Sequence, residues 1–184
     1  KVQCRVGSPQ VTYRESISTA ADYKEEFSKV LAGKENAACL TIHIEPRETG
    51  AGNSYTCAVH DNSIPKEIYE AIEQSIQSCF TSGIRMGYPC TDIAVSVTDI
   101  KYDELTASTF AFEAAAAEAF DKACESATPE LLEPVMEVDI ECPSEFVGDA
   151  MSQITQRGGM IVSMDEKSGE SVIHAKAPMA KMFG

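Results

Sequence analysis

With 184 residues and 43% hydrophobic side chains, the chain can supply one large core or two small ones, so a soluble globular protein is the expected class. Its formal charge of −14 excludes nonspecific nucleic-acid binding through a diffuse basic surface, though not a local contact. No stretch approaches the roughly 18 consecutive apolar residues of a spanning helix, and the opening KVQCRVGSPQ lacks the apolar segment of a signal peptide, so a cytoplasmic protein is expected.

The period of the apolar residues changes several times along the chain, and each change marks an element. In CLTIHIEP, Leu40, Ile42 and Ile44 alternate with Thr41, His43 and Glu45, which predicts a strand with one buried face and His43 on the polar one. RETGAGNS reads as a glycine-rich turn and YTCAVHD as the returning strand of a hairpin. A helix is expected over SIPKEIYEAIEQSIQSCFTSG. Pro65 suits the first turn, Ile68, Ile72, Ile76, Cys79 and Phe80 fall on one stripe, and Gly83 can close the end in a left-handed conformation. In GYPCTDIAVSVTDIKY, Pro89 precedes a strand in which Ile93, Val95 and Val97 alternate. The next stretch, KYDELTASTFAFEAAAAEAF, has a hydroxyl-rich entry (Thr106, Ser108, Thr109) suited to capping a helix that runs to about Ser126. Its alanines permit close backbone approach, and Phe110, Phe112 and Phe120 are assigned to the core.

TPELLEPVMEVDIECP marks the domain junction: Thr128 and Pro129 end one unit, and an alternating strand (Met136, Val138, Ile140) starts after Pro134. PSEFVGDAMSQITQRG sets Phe146, Val147, Ala150, Met151 and Ile154 on one helical face, and GMIVSMDEKSGESVIHAKAP gives two strands around a Lys-Ser-Gly turn. The closing APMAKMFG reads as the start of another helix, which places the C-terminal boundary inside a domain. Strand, helix, strand, strand, helix start is the order of a ferredoxin-like domain interrupted before its fourth strand.

Chemistry is sparse. The seven cysteines (Cys4, Cys39, Cys57, Cys79, Cys90, Cys124, Cys142) are dispersed and never form a CxxC pair, so reduced, buried thiols are expected. His43, His60 and His174 are equally scattered, and no zinc site is expected. LAGKEN contains a Gly-Lys pair, but a phosphate-binding P-loop needs a glycine where Ser28 stands and Ser or Thr where Glu35 stands. The acids between 103 and 145, opposed by Lys122 alone, read as a solvated face, and Asp103 and Glu104 as loop acids rather than an acid-base pair. Catalysis by this chain is not expected, and an interaction role is. The competing reading, an enzyme with a cysteine nucleophile, requires an exposed thiol.

Several segments together resemble the C-terminal part of bacterial elongation factor G and its paralogues. They are VGSPQVTYRESI, IPKEIYEAIEQSI, SGIRMGYPCTDIAVSVTD, FAFEAAAAEAF, LLEPVMEVDIECPSEFVGD and KMFG, with Gly87-Tyr88-Pro89, Leu131-Leu132-Glu133-Pro134 and Gly148-Asp149 at the family's spacing. The resemblance covers nearly the whole chain. It implies an α+β, two-domain fragment of a translational GTPase. Residues 1–130 would be a βαβ domain IV with a left-handed crossover, preceded by the end of another domain, and 131–184 an incomplete ferredoxin-like βαββα domain V. It implies as partners the ribosome (its rRNA, the small-subunit decoding site and the large-subunit stalk base) and tRNA-mRNA, with no membrane and no DNA. GTP and Mg are expected only in a G domain outside this chain.

In that family two loops form the tip of domain IV. The first, a Gly-Gly-x-Gly-Gln pattern, falls on AGKEN: Gly33 keeps one glycine beside Lys34, and Glu35 and Asn36 stand where Gly and Gln would be. The second, usually Tyr-His-Asp followed by Val-Asp-Ser-Ser, is here Tyr102, Asp103, Glu104, Leu105, Thr106, Ala107 and Ser108. The resemblance therefore assigns ribosome and tRNA contacts to Gly33, Lys34, Glu35, Asn36, Asp103, Glu104, Leu105 and Thr106. Asp103 in place of histidine adds a carboxylate beside Glu104, which a phosphate backbone repels. The alternative within the family is a divergent paralogue acting in ribosome recycling or ribosome protection.

Overall fold

The computed structural model describes residues 10–183. Arg14–Leu132 forms one compact unit, and the chain from Glu133 onward falls in a second.

The first unit contains β1 (Arg14–Ile17), β2 (Ala21–Leu31), β3 (Lys34–Pro46), β4 (Ser54–Cys57), α1 (Lys66–Ser82), β5 (Ile93–Lys101), α2 (Thr109–Ser126) and β6 (Pro129–Leu132). Four strands form a sheet in the order β2-β3-β5-β4. Alternation in β3 and β5 buries Ala38, Leu40, Ile42, Ile44, Ile93, Val95 and Val97 on one face, where they share a core with both helices. His43 lies on the opposite, polar face, its Nδ1 2.7 Å from Asp22 Oδ1.

YTCAVHD was expected to return beside β3, and it does not. Its strand β4 lies at the far edge of the sheet and runs parallel to β5, with Ser54 opposite Ala94. A parallel neighbour needs a crossover, and α1 supplies it. The loop before β4 is held open for this path. Arg47 donates to the carbonyls of Ala51 and Gly52, and the buried Asp92 carboxylate accepts from the Gly50 and Gly52 N–H groups. Asn53 then bridges the Cys90 carbonyl and the Ile93 N–H.

Periodicity also missed β2. Its helix-facing positions are Tyr23, Glu25, Phe27 and Lys29, so two charges interrupt the apolar pattern. Glu25 is only 5% exposed, and Lys122 of α2 neutralises it at 3.0 Å while lying over the Tyr23 ring.

In α1, Ile68, Ala71, Ile72, Ile76 and Phe80 are buried, and Cys79 is half-buried at the margin of the stripe. Pro65 occupies the N-cap position rather than the first helical turn. Gly83 has φ 84 and ψ −176, which is not the left-handed helical conformation expected but an extended one open in practice to glycine alone. A Cβ there would strike the Tyr88 carbonyl and the Glu15 carboxylate. Glu15, 3% exposed on β1, accepts hydrogen bonds from the N–H groups of Ile84, Arg85 and Met86.

Ser108 caps α2 by accepting the Ala111 N–H at 3.1 Å, as its hydroxyl-rich entry predicts. Ala111, Ala115, Ala116, Ala119 and Ala123 are fully buried with Phe112, Phe120 and Cys124. Phe110 departs from its expected core position: it is 45% exposed. Burial pushes the Cys79 thiol up to about 11, Cys90 to about 12 and Cys124 higher still, so these groups are protonated and weakly nucleophilic near neutral pH. Among the described residues no cysteine is fully exposed; Cys4 lies outside them.

The second unit contains β7 (Val135–Pro143), a 3-10 turn (Ser144–Phe146), α3 (Val147–Gln156), β8 (Met160–Lys167) and β9 (Glu170–Pro178). The antiparallel order β7-β9-β8 is that of the first three strands of a ferredoxin-like domain. Ile154, Ile173 and Ala175 form its buried centre, ringed by Ile140, Val147, Ala150, Met151 and Ile161. Phe146, expected on the helix's core face, is exposed because the chain enters α3 through the 3-10 turn. The helix start expected in APMAKMFG is a 3-10 turn over Met179–Lys181. On the sheet, His174 Nδ1 lies 2.5 Å from Asp139 and Nε2 3.2 Å from Asp165, linking all three strands.

Two predictions follow from these buried and cross-strand charges. Glu15→Ala leaves three backbone donors without their acceptor and is expected to lower stability by about 3 kcal/mol, with Glu15→Gln intermediate, measured by urea denaturation. For His174, the Asp139 hydrogen bond, aided by Asp165 and opposed by desolvation, raises the folded pKa. Its stabilisation is complete below the ordinary histidine value and lost as pH rises through the folded value. The thermal midpoint of the second unit should therefore fall as pH rises from about 6, and His174→Asn should flatten that dependence.

Candidate nucleic-acid interface

The β2-β3 hairpin outruns its sheet. The last residue of β5, Lys101, sits opposite Cys39, so the five pairs from Phe27↔Ala38 to Leu31↔Lys34 have no third strand beside them. The turn is a two-residue loop with φ 50 at Ala32 and φ 78 at Gly33. Positive φ at both positions matches the right-handed twist of a hairpin; glycine adopts it freely, and alanine pays a steric cost. Lys34, Glu35 and Asn36, assigned to a tip loop, instead open β3 as paired strand residues. Gly33-Lys34 therefore joins two antiparallel strands and does not open a helix, which is the setting a phosphate-cradling loop needs.

Strand alternation sorts the hairpin's side chains. Lys29, Leu31, Lys34 and Asn36 continue the face on which α2 packs, whereas Ser28, Val30 and Glu35 lie on the other, with Ser28 Oγ donating to Glu35 Oε1 at 3.1 Å. Asn36 donates from Nδ2 to the Lys34 carbonyl.

The second predicted stretch, between β5 and α2, folds on its own aspartate. Asp103 Oδ1 accepts the Leu105 N–H at 2.9 Å, and the Asp103 carbonyl accepts from Thr106 and Ala107. Glu104 stays exposed and Leu105 is 80% exposed. The Thr106 carbonyl accepts the Ala37 N–H at 2.9 Å, and this bond ties the loop to the base of the free hairpin. Two stretches about seventy residues apart in sequence thus come together at one end of the unit. An open cleft of about 480 Å³ lies between them, lined by Glu26, Ser28, Cys39, Lys101, Tyr102 and Asp103 among others.

Residues that the sequence reading did not nominate share this end. Val30, Leu31 and Phe110 are all exposed, and the Phe110 ring meets Phe27 edge-on at 6.0 Å. The signal for Lys29, Val30 and Leu31 is β2 itself, which its interrupted period conceals. Among the described residues no group of three His, Cys, Asp or Glu side chains is placed to hold a metal ion, and no helix is long and apolar enough to cross a membrane.

Residues 9–128 match the family model for elongation factor G, domain IV, and residues 130–184 match that for the elongation factor G C-terminus. Among curated relatives, Elongation factor G 1 of Treponema denticola is 56% identical over 193 aligned positions, and Elongation factor G 2 of Treponema pallidum is 47% identical over 191. Each alignment takes in 100% of this chain and 28% of the relative, so the chain spans little more than a quarter of their length. A crystal structure of a protein from Thermus thermophilus superposes with a TM-score of 0.79 at 31% identity, covering 94% of this chain and 26% of that one.

The turn offers a direct test of hairpin energetics. Ala32→Asn puts a residue tolerant of positive φ at the strained position and is expected to raise stability by about 0.5–1 kcal/mol, whereas β-branched Ala32→Val should lower it, both read by urea denaturation.

Proposed function

The chain belongs to the elongation factor G family, and from that membership we propose that it supplies domain IV and most of domain V of a cytoplasmic, ribosome-binding GTPase. In this reading the hairpin turn and the 103–106 loop are the tip that enters the small-subunit decoding site and accompanies tRNA and mRNA during translocation. The second unit faces the large subunit near the stalk base. The work of this chain is mechanical. GTP and its Mg are assigned to a G domain outside these residues.

The observation that carries this reading is the hydrogen bond between the Ala37 N–H and the Thr106 carbonyl. It joins both candidate loops into one projection, which a tip that must hold its shape against moving RNA requires. The departures from the family pattern are compatible with that role. Asp103 directs one carboxylate oxygen at the Leu105 N–H, so the charge that replaces a histidine also shapes the loop. Glu35 engages Ser28 on the hairpin face away from Lys29 and Lys34.

Ala37→Pro in the full-length protein tests this. Proline removes the one donor that reaches Thr106, at a strand position whose N–H points away from β2. Ribosome association should persist, while translocation slows by on the order of ten- to a hundredfold, because a loosened tip misplaces its contacts. An unchanged translocation rate would reject the assigned tip. Ribosome splitting or drug release without any translocation in the wild-type protein would favour the paralogue reading.

A further inference from the structure

Where α2 begins, the hairpin beneath it keeps going. The three pairs Lys29↔Asn36, Val30↔Glu35 and Leu31↔Lys34 extend past the Ser28↔Ala37 level, at which the loop before α2 is tied down. At about 3.3 Å per residue this is roughly 10 Å of open ribbon. The ribbon's helix-side face carries Lys29, Leu31, Lys34 and Asn36 and forms a floor. The first turn of α2 forms a wall, and its outermost ring is Phe110, 45% exposed and steadied edge-on by Phe27. A corner with an exposed aromatic wall and a floor bearing two lysines is an unusual composition for a chain of net charge −14.

Lys29 and Lys34 are diagonal neighbours on this floor and take part in no ion pair among the described residues. Three of the unit's four other lysines are committed: Lys24 to Glu26, Lys66 to Glu70, and Lys122 to Glu25. The nearest hairpin carboxylate, Glu35, lies on the opposite face. An apolar partner protein would cover Phe110 and Leu31 but would desolvate two uncompensated ammonium groups. A single-stranded nucleic acid satisfies both halves, since its bases have flat faces to stack and its backbone carries a phosphate at every residue.

We propose that this corner is a stacking site for one unpaired RNA base, with Phe110 as the platform, Leu31 beneath it, and Lys29 and Lys34 on the flanking phosphates. Resting on the reading that this end of the unit meets RNA, it adds Lys29, Leu31 and Phe110, which lie outside the two loops assigned from family resemblance, to Lys34 of the first of them. Duplex RNA does not fit, because its bases are stacked on each other and offer no free face.

The test uses the 184-residue chain with hexauridylate as probe and an RNA duplex of equal length as control. Amide shifts in NMR titration should concentrate at Lys29, Leu31, Lys34, Thr109 and Phe110 with the single strand and be absent with the duplex. In fluorescence anisotropy, Phe110→Ala should weaken binding at least about fivefold and Phe110→Tyr should retain it. Phe110→Leu keeps an apolar contact on Phe27 while removing the aromatic face, so it should behave like the alanine variant even if that one is poorly folded. With two phosphates held, log affinity should fall with log salt at a slope of about −1.4, and Lys29→Gln or Lys34→Gln should each reduce it by about 0.7. No shift at this corner at millimolar RNA, or wild-type affinity in Phe110→Leu, would overturn the site. Ribosome association by the full-length protein separates the two readings. If it persists while hexauridylate fails to bind, the base site alone is lost; if hexauridylate binds and ribosome association is absent, the ribosomal reading falls and the base site stands.

Discussion

A helix whose buried face is almost wholly alanine can lie closer to a sheet than one carrying leucines, and α2 takes this seat over β2 and β3. Ala111, Ala115, Ala116, Ala119 and Ala123 put little side-chain bulk on the buried face of the helix, while Phe112 is buried in the same core and Phe120 meets Phe80 of α1 edge-on. The consequence reaches the end of the molecule. With the helix held close, its capped start and the preceding loop are within reach of β3, and the Ala37–Thr106 bond can form. The free hairpin and the loop then act as one projection. Lys122, pairing with Glu25 and covering Tyr23, fastens the other end of the same helix to the neighbouring strand β2.

Two buried carboxylates organise loops elsewhere in this unit. Glu15 gathers three consecutive backbone N–H groups after α1, and Asp92 gathers two from the glycine-rich loop before β4. Each replaces water for donors that would otherwise be stranded, and neither needs a cation. The acidity of the chain is therefore not all solvated surface. Among the described residues no buried side-chain polar atom lacks a partner. The second unit is built differently: its centre is three small or medium apolar residues, and its exposed face depends on a histidine held between two aspartates on neighbouring strands. A small core leaves such surface electrostatics a larger share of stability.

Much of the architecture was readable because local pattern and final environment agree. The alternation of Ile93, Val95 and Val97, the stripe of Ile68, Ile72 and Ile76, and Ser108 before an alanine-rich run all appear where their periods place them. β2 was not readable, because Glu25 and Lys29 sit on its inward face and only Lys122, ninety-seven residues away, makes Glu25 tolerable there. The pairing of β4 was not readable either. Its sequence suits any sheet edge, and its place beside β5 is set by Asp92, Arg47 and Asn53 holding a loop open.

The same division applies to the candidate interface. The sequence by itself determined the family, the two loop segments and the departures within them, since these are matters of residue identity and spacing. Tertiary structure decided that Lys34, Glu35 and Asn36 are strand residues on alternating faces, that Asp103 shapes its own loop, and that Phe110 leaves the core to lie exposed against Phe27. Those outcomes depend on which strand lies beneath which helix turn. Such long-range register is a property of the packed sheet, and no local period encodes it.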